Sequence, residues 1–169
     1  MSYFKIKSFA KINLALNIIG KDSLLHKVES IISFLDLHDE ISIKTIKNNN
    51  HKITFVGKFS KNINSNNTVF KLLKIIDKKK LLKNIKFQII IKKNIPSKAG
   101  LGGGSMNAAT ILKFLIEKKF IKLSNKEIYK ICTSIGSDVI LGLYSNNLIL
   151  KSNDKIKSFS IKKKTFILV

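Results

Sequence analysis

Residues Ile95 to Ala109, IPSKAGLGGGSMNAA, hold four of the chain's eight glycines and its single proline, and what flanks them limits the fold. Before them, Lys86 to Lys93 (KFQIIIKK) is rich in β-formers and reads as a strand. After them, Ala108, Leu112, Leu115 and Ile116 recur at i, i+4, i+7 and i+8, one face of a helix running to about Lys119. The glycines therefore make the bend between a strand and the first turn of a helix. Such a bend leaves the first backbone N–H groups of the helix unpaired, at the positive end of the helix dipole. Three successive residues without Cβ let an anion approach those groups closely. A flexible turn before a helix start is the plainer reading. Gly102-Gly103-Gly104-Ser105 set directly against a well-patterned helix favours a phosphate cradle.

Two common cradles are excluded. A P-loop needs Gly-Lys-Ser/Thr at the helix start, whereas Gly104 is followed by Ser105 and Met106. The dinucleotide fingerprint needs a third glycine where Ser105 stands.

Elsewhere, Ala10, Ile12, Leu14, Leu16 and Ile18 alternate with polar or small residues, the period of a half-buried strand. Lys11 and Asn13 then share its other face, ~7 Å apart. Gly20 to Leu25 reads as a turn, and Val28 to Leu35 as a second strand-like run with His26 near its start. Phe34 to Ile41 reads as a strand, an acidic turn and a new strand, with Asp36 and Asp39 as turn-forming acids rather than paired catalytic carboxylates. Asn67 stands where an N-cap belongs, ahead of Val69, Leu72, Leu73 and Ile76 at helical spacing. Ser124 and Glu127 form a capping box for a helix ending at Gly136. Asp138 follows, either as a helix cap or as a functional carboxylate. Leu148 to Lys151, Lys155 to Ile161 and Thr165 to Val169 read as closing strands.

The formal charge of +22 invites a nucleic-acid reading, but all 32 basic residues are lysine. A selected nucleic-acid surface normally uses arginine for bidentate contacts. Lysine, asparagine and isoleucine are heavy along the whole chain, the imprint of an AT-rich coding sequence, so no specific nucleic-acid partner is expected. No apolar run approaches ~18 residues and the first residues do not open a signal peptide, so no membrane partner and a cytoplasmic location are expected. Cys132 lies on the stripe Ile128, Ile131, Ile135 and is expected in the core. The three histidines share no metal-ligand spacing.

Pro96-Ser97-Lys98-Ala99-Gly100-Leu101-Gly102-Gly103-Gly104-Ser105-Met106 resembles the Pro-x-x-x-Gly-Leu-Gly-Ser/Gly-Ser box of the GHMP kinases, a family of small-molecule kinases. The longer string GLGGGSMNAA looks like the branch that phosphorylates the tertiary hydroxyl of a CDP-linked methylerythritol in the non-mevalonate isoprenoid route. Other motifs follow in register. Phe9-Ala10-Lys11-Ile12-Asn13-Leu14 resembles the family's Pro-Ala-Lys-Leu/Ile-Asn-Leu strand, Asn66-Asn67-Thr68-Val69 its Asn-Leu/Thr-Val/Ile step, and Gly136-Ser137-Asp138-Val139 its Gly-Ser/Ala-Asp-Val/Ile-Pro motif. Ser23-Leu24-Leu25-His26 stands where the family reads Asp-Gly-Tyr-His, so an aromatic platform for a cytosine is leucine here.

The resemblance implies a two-layer α+β fold of the ribosomal-protein-S5 domain 2 kind, a mixed sheet with helices on one side. It implies ATP and Mg²⁺ as cofactors, bound by residues 96 to 106, with Ser105 a possible metal ligand and Asn67 near the ATP base. It also implies Asp138 as acceptor of the substrate hydroxyl proton, Lys11 as its cationic partner, and Asn13 and His26 as substrate-binding residues. Residues 1–169 are then the N-terminal ATP-binding domain, incomplete at its C-terminal end, with the family's C-terminal domain absent from the chain. Two alternatives remain: another GHMP kinase, of homoserine or mevalonate type, and an S5-like RNA-binding module.

Overall fold

The computed structural model describes residues 2–21, 26–61, 63–64, 66–151 and 155–160. The elements follow as β1 (Phe4–Lys21), β2 (His26–Ile46), β3 (Lys52–Val56), α1 (Thr68–Lys78), β4 (Lys86–Lys92), α2 (Gly103–Glu117), α3 (Asn125–Ile135), a short 3-10 helix (Ile140–Leu143), β5 (Asn147–Leu150) and β6 (Ile156–Phe159). They fall into two compact units, Met1–Lys11 with Leu35–Leu143, and Ile12–Phe34 with Tyr144–Val169.

In the first unit β4 pairs antiparallel with β2, from Glu40↔Lys92 to Ile46↔Lys86, and parallel with β3, from Lys52↔Gln88 to Val56↔Lys92. The sheet is therefore mixed. Period-2 alternation sends Ile41 and Ile43 of β2 and Phe87, Ile89 and Ile91 of β4 to one buried face. The three helices pack on it, giving the expected two-layer α+β arrangement. In α1, Val69, Leu72, Leu73 and Ile76 form the buried stripe that their spacing foretells.

Helix α2 departs from the one-faced pattern. Met106, Asn107, Ala108, Ala109, Ile111, Leu112, Phe114 and Leu115 are all buried, which makes it the central helix. It touches both α1 and the 3-10 helix. A Cβ on Gly142 of the 3-10 helix would lie 2.6 Å from Ala109 Cβ and 3.1 Å from Met106 Sδ, so this close approach requires glycine. Cys132 is fully buried as expected, and burial pushes its thiol up to about 11.

Both side-chain caps legible in the sequence form. Asn67 Oδ1 accepts from the N–H groups of Val69 (3.0 Å) and Phe70 (3.1 Å), and Ser124 and Glu127 close a reciprocal capping box. Asn67→Ala is expected to lower stability by about 1 kcal/mol, read from denaturant midpoints.

His51 ties three elements together. Its Nδ1 accepts from Phe87 N–H (3.0 Å), which places the ring proton on Nε2, facing Asp77 Oδ1 at 3.3 Å, and its ring stacks on Phe87. Lys86 Nζ donates to the same carboxylate at 2.8 Å. Burial pushes the His51 imidazole below its ordinary 6.5. Burial opposes ionisation of Asp77, but the Lys86 hydrogen bond and His51 outweigh it and hold the carboxyl below its ordinary 3.8. Above pH ~6.5 the imidazole is neutral in both folded and unfolded chains. Below it the unfolded chain takes up a proton the folded chain resists, so stability falls with pH. The Asp77 contribution is lost lower still, as pH drops through its folded value. Thermal melts against pH should show a shallower decline just below pH ~6.5 for His51→Gln than for the parent; equal slopes would assign the decline elsewhere.

In the second unit β2 pairs antiparallel with β5, from Ser30↔Leu150 to Ile32↔Leu148, and β5 with β6. Ser33 Oγ donates to Asn147 Oδ1 (2.8 Å) and Ser30 Oγ to the Ala15 carbonyl (2.7 Å).

Three expectations change. The half-buried reading of β1 fails beyond Ile12: Leu14, Leu16 and Ile18 are 40 %, 55 % and 66 % exposed, whereas Lys11, on the other face, is buried. The acidic turn between Asp36 and Asp39 does not form, because β2 runs unbroken through both residues and Asp39 is a buried ion-pair partner rather than a turn former. The turn begun at Gly20 starts later, since β1 continues to Lys21, and Ser23 to Leu25 lie outside the described residues, as does the strand expected over Thr165 to Val169.

Candidate active site

The glycine stretch forms a loop from Pro96 that ends at Gly102, the N-cap of α2. Gly102 has φ 68° and offers no side-chain cap. The first intrahelical bond of this end runs from Met106 N–H to Gly102 O at 2.9 Å. The amides of Gly103, Gly104 and Ser105 thus have no intrahelical acceptor, at the positive end of a 15-residue helix. They line a cavity of about 370 Å³ together with every residue from Pro96 to Gly102, and with Asn67, Phe55, Lys93 and Asn107. That volume suits a small-molecule ligand. Asn107 is almost fully buried, and its Oδ1 has no hydrogen-bond partner, leaving an acceptor that a bound donor can satisfy.

The missing side chains serve different neighbours. At Gly100, with φ 72°, a Cβ would meet nothing within 4 Å. At Gly104 it would meet only Thr68 Oγ1, at 3.3 Å. At Gly103 it would lie 3.0 Å from Ile95 Cγ2 and 3.2 Å from Lys93 Nζ, so the missing Cβ there makes room for protein packing rather than for an anion, although the residue itself lines the cavity. At Gly102 it would lie 2.9 Å from Lys11 Cγ and 3.0 Å from Lys11 Cε.

This last approach brings the opening strand to the loop. Lys11 N–H donates to the Leu101 carbonyl at 3.0 Å, and its stem rests on Gly102. Its ammonium reaches Asp138 Oδ2 at 3.1 Å. The lysine side chain is 8 % exposed and the aspartate 38 %, so the pair presents its carboxylate to solvent and keeps its cation covered. Asp138 sits in the turn between α3 and the 3-10 helix, shaped by Val139 N–H to Gly136 O (3.1 Å) and Leu141 N–H to Asp138 O (3.2 Å). A Cβ on Gly136 would be 4.0 Å from Ser105 Oγ, so that turn lies against the first turn of α2.

The fold thus brings together Lys11, Asp138, Ser105 and the loop, residues far apart in the chain. Asn67 lines the cavity while its amide is engaged on both atoms, Oδ1 in capping α1 and Nδ2 in donating to Asn64 O at 2.7 Å. Met106 points into the core. Asn13 lies exposed in the second unit, where His26 opens β2 with its side chain outside the described residues. Sequence reasoning missed Lys93, Asn107 and the buried role of Asp39. The same alternation that buries Ile89 and Ile91 also buries Lys93, and the one that buries Ile41 and Ile43 also buries Asp39. Two opposite charges on buried parities were the available signal.

The GHMP kinases N terminal domain family matches residues 67–146, which contain the loop, α2 and Asp138. A 4-diphosphocytidyl-2-C-methyl-D-erythritol kinase of Pelagibacter ubique is 59 % identical over the whole chain, which spans 60 % of that relative. One from Francisella philomiragia is 37 % identical over 151 residues, 87 % of this chain and 54 % of the relative. The crystal structure of a 4-(cytidine 5'-diphospho)-2C-methyl-D-erythritol kinase superposes with a TM-score of 0.73 at 19 % identity, covering 94 % of this chain and 56 % of that one, and shows the same fold. The chain therefore spans little more than half the length of these relatives, and its residues 67–146 match the N-terminal domain of the GHMP kinases.

Proposed function

We propose that the chain supplies the nucleotide-binding and proton-accepting parts of a kinase that transfers a phosphoryl group from ATP to the tertiary hydroxyl of 4-diphosphocytidyl-2-C-methyl-D-erythritol. The observation that carries the reading is the packing of Lys11 on Gly102, which sets a paired, half-exposed carboxylate beside a helix N-terminus built for an anion. The names of the relatives support the substrate.

In this mechanism the amides of Gly103 to Ser105 hold the phosphates. Asp138 takes the hydroxyl proton as the oxygen attacks the terminal phosphorus and the bond to the bridging oxygen breaks, releasing ADP, and the Lys11 ammonium offsets charge on the transferring group. Mg²⁺ would arrive with the nucleotide and would need few ligands from the protein. Ser105, whose hydroxyl stands in the first turn of α2, would be the residue to hold it, and the ion would neutralise phosphate charge. Asn13 and His26 are assigned to the substrate.

Calorimetric titration of MgATP, followed by phosphoryl transfer to the CDP-linked alcohol, homoserine and mevalonate in parallel, tests the reading. Transfer to the CDP-linked alcohol alone is the expected result; preference for either other acceptor would move the chain to another branch.

The lysine-rich surface predicts weak binding to generic RNA, without sequence preference and falling steeply with salt. Filter binding at several salt concentrations reads this, and a nanomolar, sequence-selective complex at physiological salt would favour an RNA-binding module instead.

A further inference from the structure

We infer that Asp39 is a positioning residue for the nucleotide loop: its buried carboxylate ties both ends of residues 93–107 together and holds the anion-binding amides in place before any ligand arrives. The inference rests on the nucleotide reading given above.

Asp39 is fully buried on β2. Its Oδ1 accepts from the backbone N–H of Asn94 (2.8 Å) and of Ile95 (2.9 Å), where β4 gives way to the loop. Its Oδ2 accepts from Asn107 Nδ2 at 2.9 Å, beyond the glycines in α2, and from Lys93 Nζ. Four donors fill the acceptor capacity of one ionised carboxylate. Lys93 in turn lies under the start of α2, its Nζ 3.2 Å from where a Gly103 Cβ would be. A cation at the positive end of a helix is unfavourable alone, and the carboxylate beside it removes that cost. Between the two tied ends, the loop is anchored by Lys11 N–H to Leu101 O and by Thr68 Oγ1 to Gly104 O.

An asparagine cannot replace this group. It offers one acceptor oxygen and one NH₂, so whichever way it turns, one pair of donors meets another donor. Electrostatics and positioning then predict opposite outcomes. Removing a negative charge next to a lysine that lines an anion site should tighten ATP binding by Coulomb's law alone. Releasing the loop should weaken it, because amides displaced by a fraction of an ångström lose the phosphate geometry.

The test is titration of MgATP into the parent chain, Asp39→Asn and Ile76→Val, well below all three melting temperatures. Ile76 is a fully buried residue of α1, and its truncation controls for lost stability alone. The expected result is a dissociation constant raised about tenfold or more in Asp39→Asn and unchanged in Ile76→Val. Unchanged or tighter binding by a folded Asp39→Asn chain would overturn the inference. Parent protein that binds no ATP would instead remove the nucleotide reading. A second measurement needs no variant: amide hydrogen exchange in the ligand-free parent should show Asn94 and Ile95 protected as strongly as the centre of β4. Rapid exchange there would overturn a preformed clamp even if Asp39→Asn does not fold.

Discussion

Asp138→Asn is expected to lower kcat by about 10²–10⁴-fold in a catalytically competent preparation while leaving the ATP dissociation constant nearly unchanged. The amide matches the carboxylate in shape and still accepts a hydrogen bond from the substrate hydroxyl, but it cannot take the proton. Its partner predicts the companion result. Lys11→Met removes the ammonium 3.1 Å away and should lower kcat as well. Because both groups serve one proton transfer, the double variant should fall short of the product of the single effects. The competing role, a carboxylate that only shapes the turn before the 3-10 helix, predicts about 1 kcal/mol of lost stability with turnover intact. Melting temperature and kcat measured on the same samples separate these cases. An Asp138→Asn protein that melts early yet turns over normally would end the catalytic assignment.

A second large effect is expected at Gly102, judged against Gly100. Both have positive φ, 68° and 72°, so a valine at either carries similar backbone strain. Their surroundings differ. At Gly100 the new Cβ enters open space, whereas at Gly102 it strikes the Lys11 stem at 2.9 Å. Gly102→Val should therefore push the ammonium off Asp138 and cost about 10²-fold or more in kcat, the scale of an ångström-sized misplacement at a reacting centre. Gly100→Val should lose much less. Comparable losses would mean that backbone strain, rather than contact with the lysine, dominates this loop.

Local rules carried far in this chain. The caps at Asn67 and Ser124, the stripe of α1 and the strand–glycine–helix unit depend on neighbours within one or two turns, and the sequence shows them directly. Lys11, the glycine box and Asp138 were legible through family resemblance, but not their contact, which depends on a glycine side chain that does not exist. The buried parity of Asp39 escaped because an acid between Leu37 and Ile41 satisfies turn statistics equally well; only its four donors, drawn from 93–107, decide against a turn. The exposed stretch of β1 escaped because alternation reports which side chains share a face, not whether anything covers that face.

That stretch bears on how the molecule behaves in bulk. Leu14, Leu16 and Ile18 project from one face of a single strand, at 40 %, 55 % and 66 % exposure. Exposed apolar side chains on a strand invite self-association. A formal charge of +22 opposes it, because molecules so strongly alike in sign repel before their apolar faces meet. Dissolved salt shortens the reach of that repulsion to about 8 Å at physiological ionic strength, and apolar attraction is not screened in the same way. The colloidal balance is therefore set by the buffer: dilute electrolyte keeps the particles apart, and concentrated electrolyte lets the leucine-bearing strand find another copy of itself.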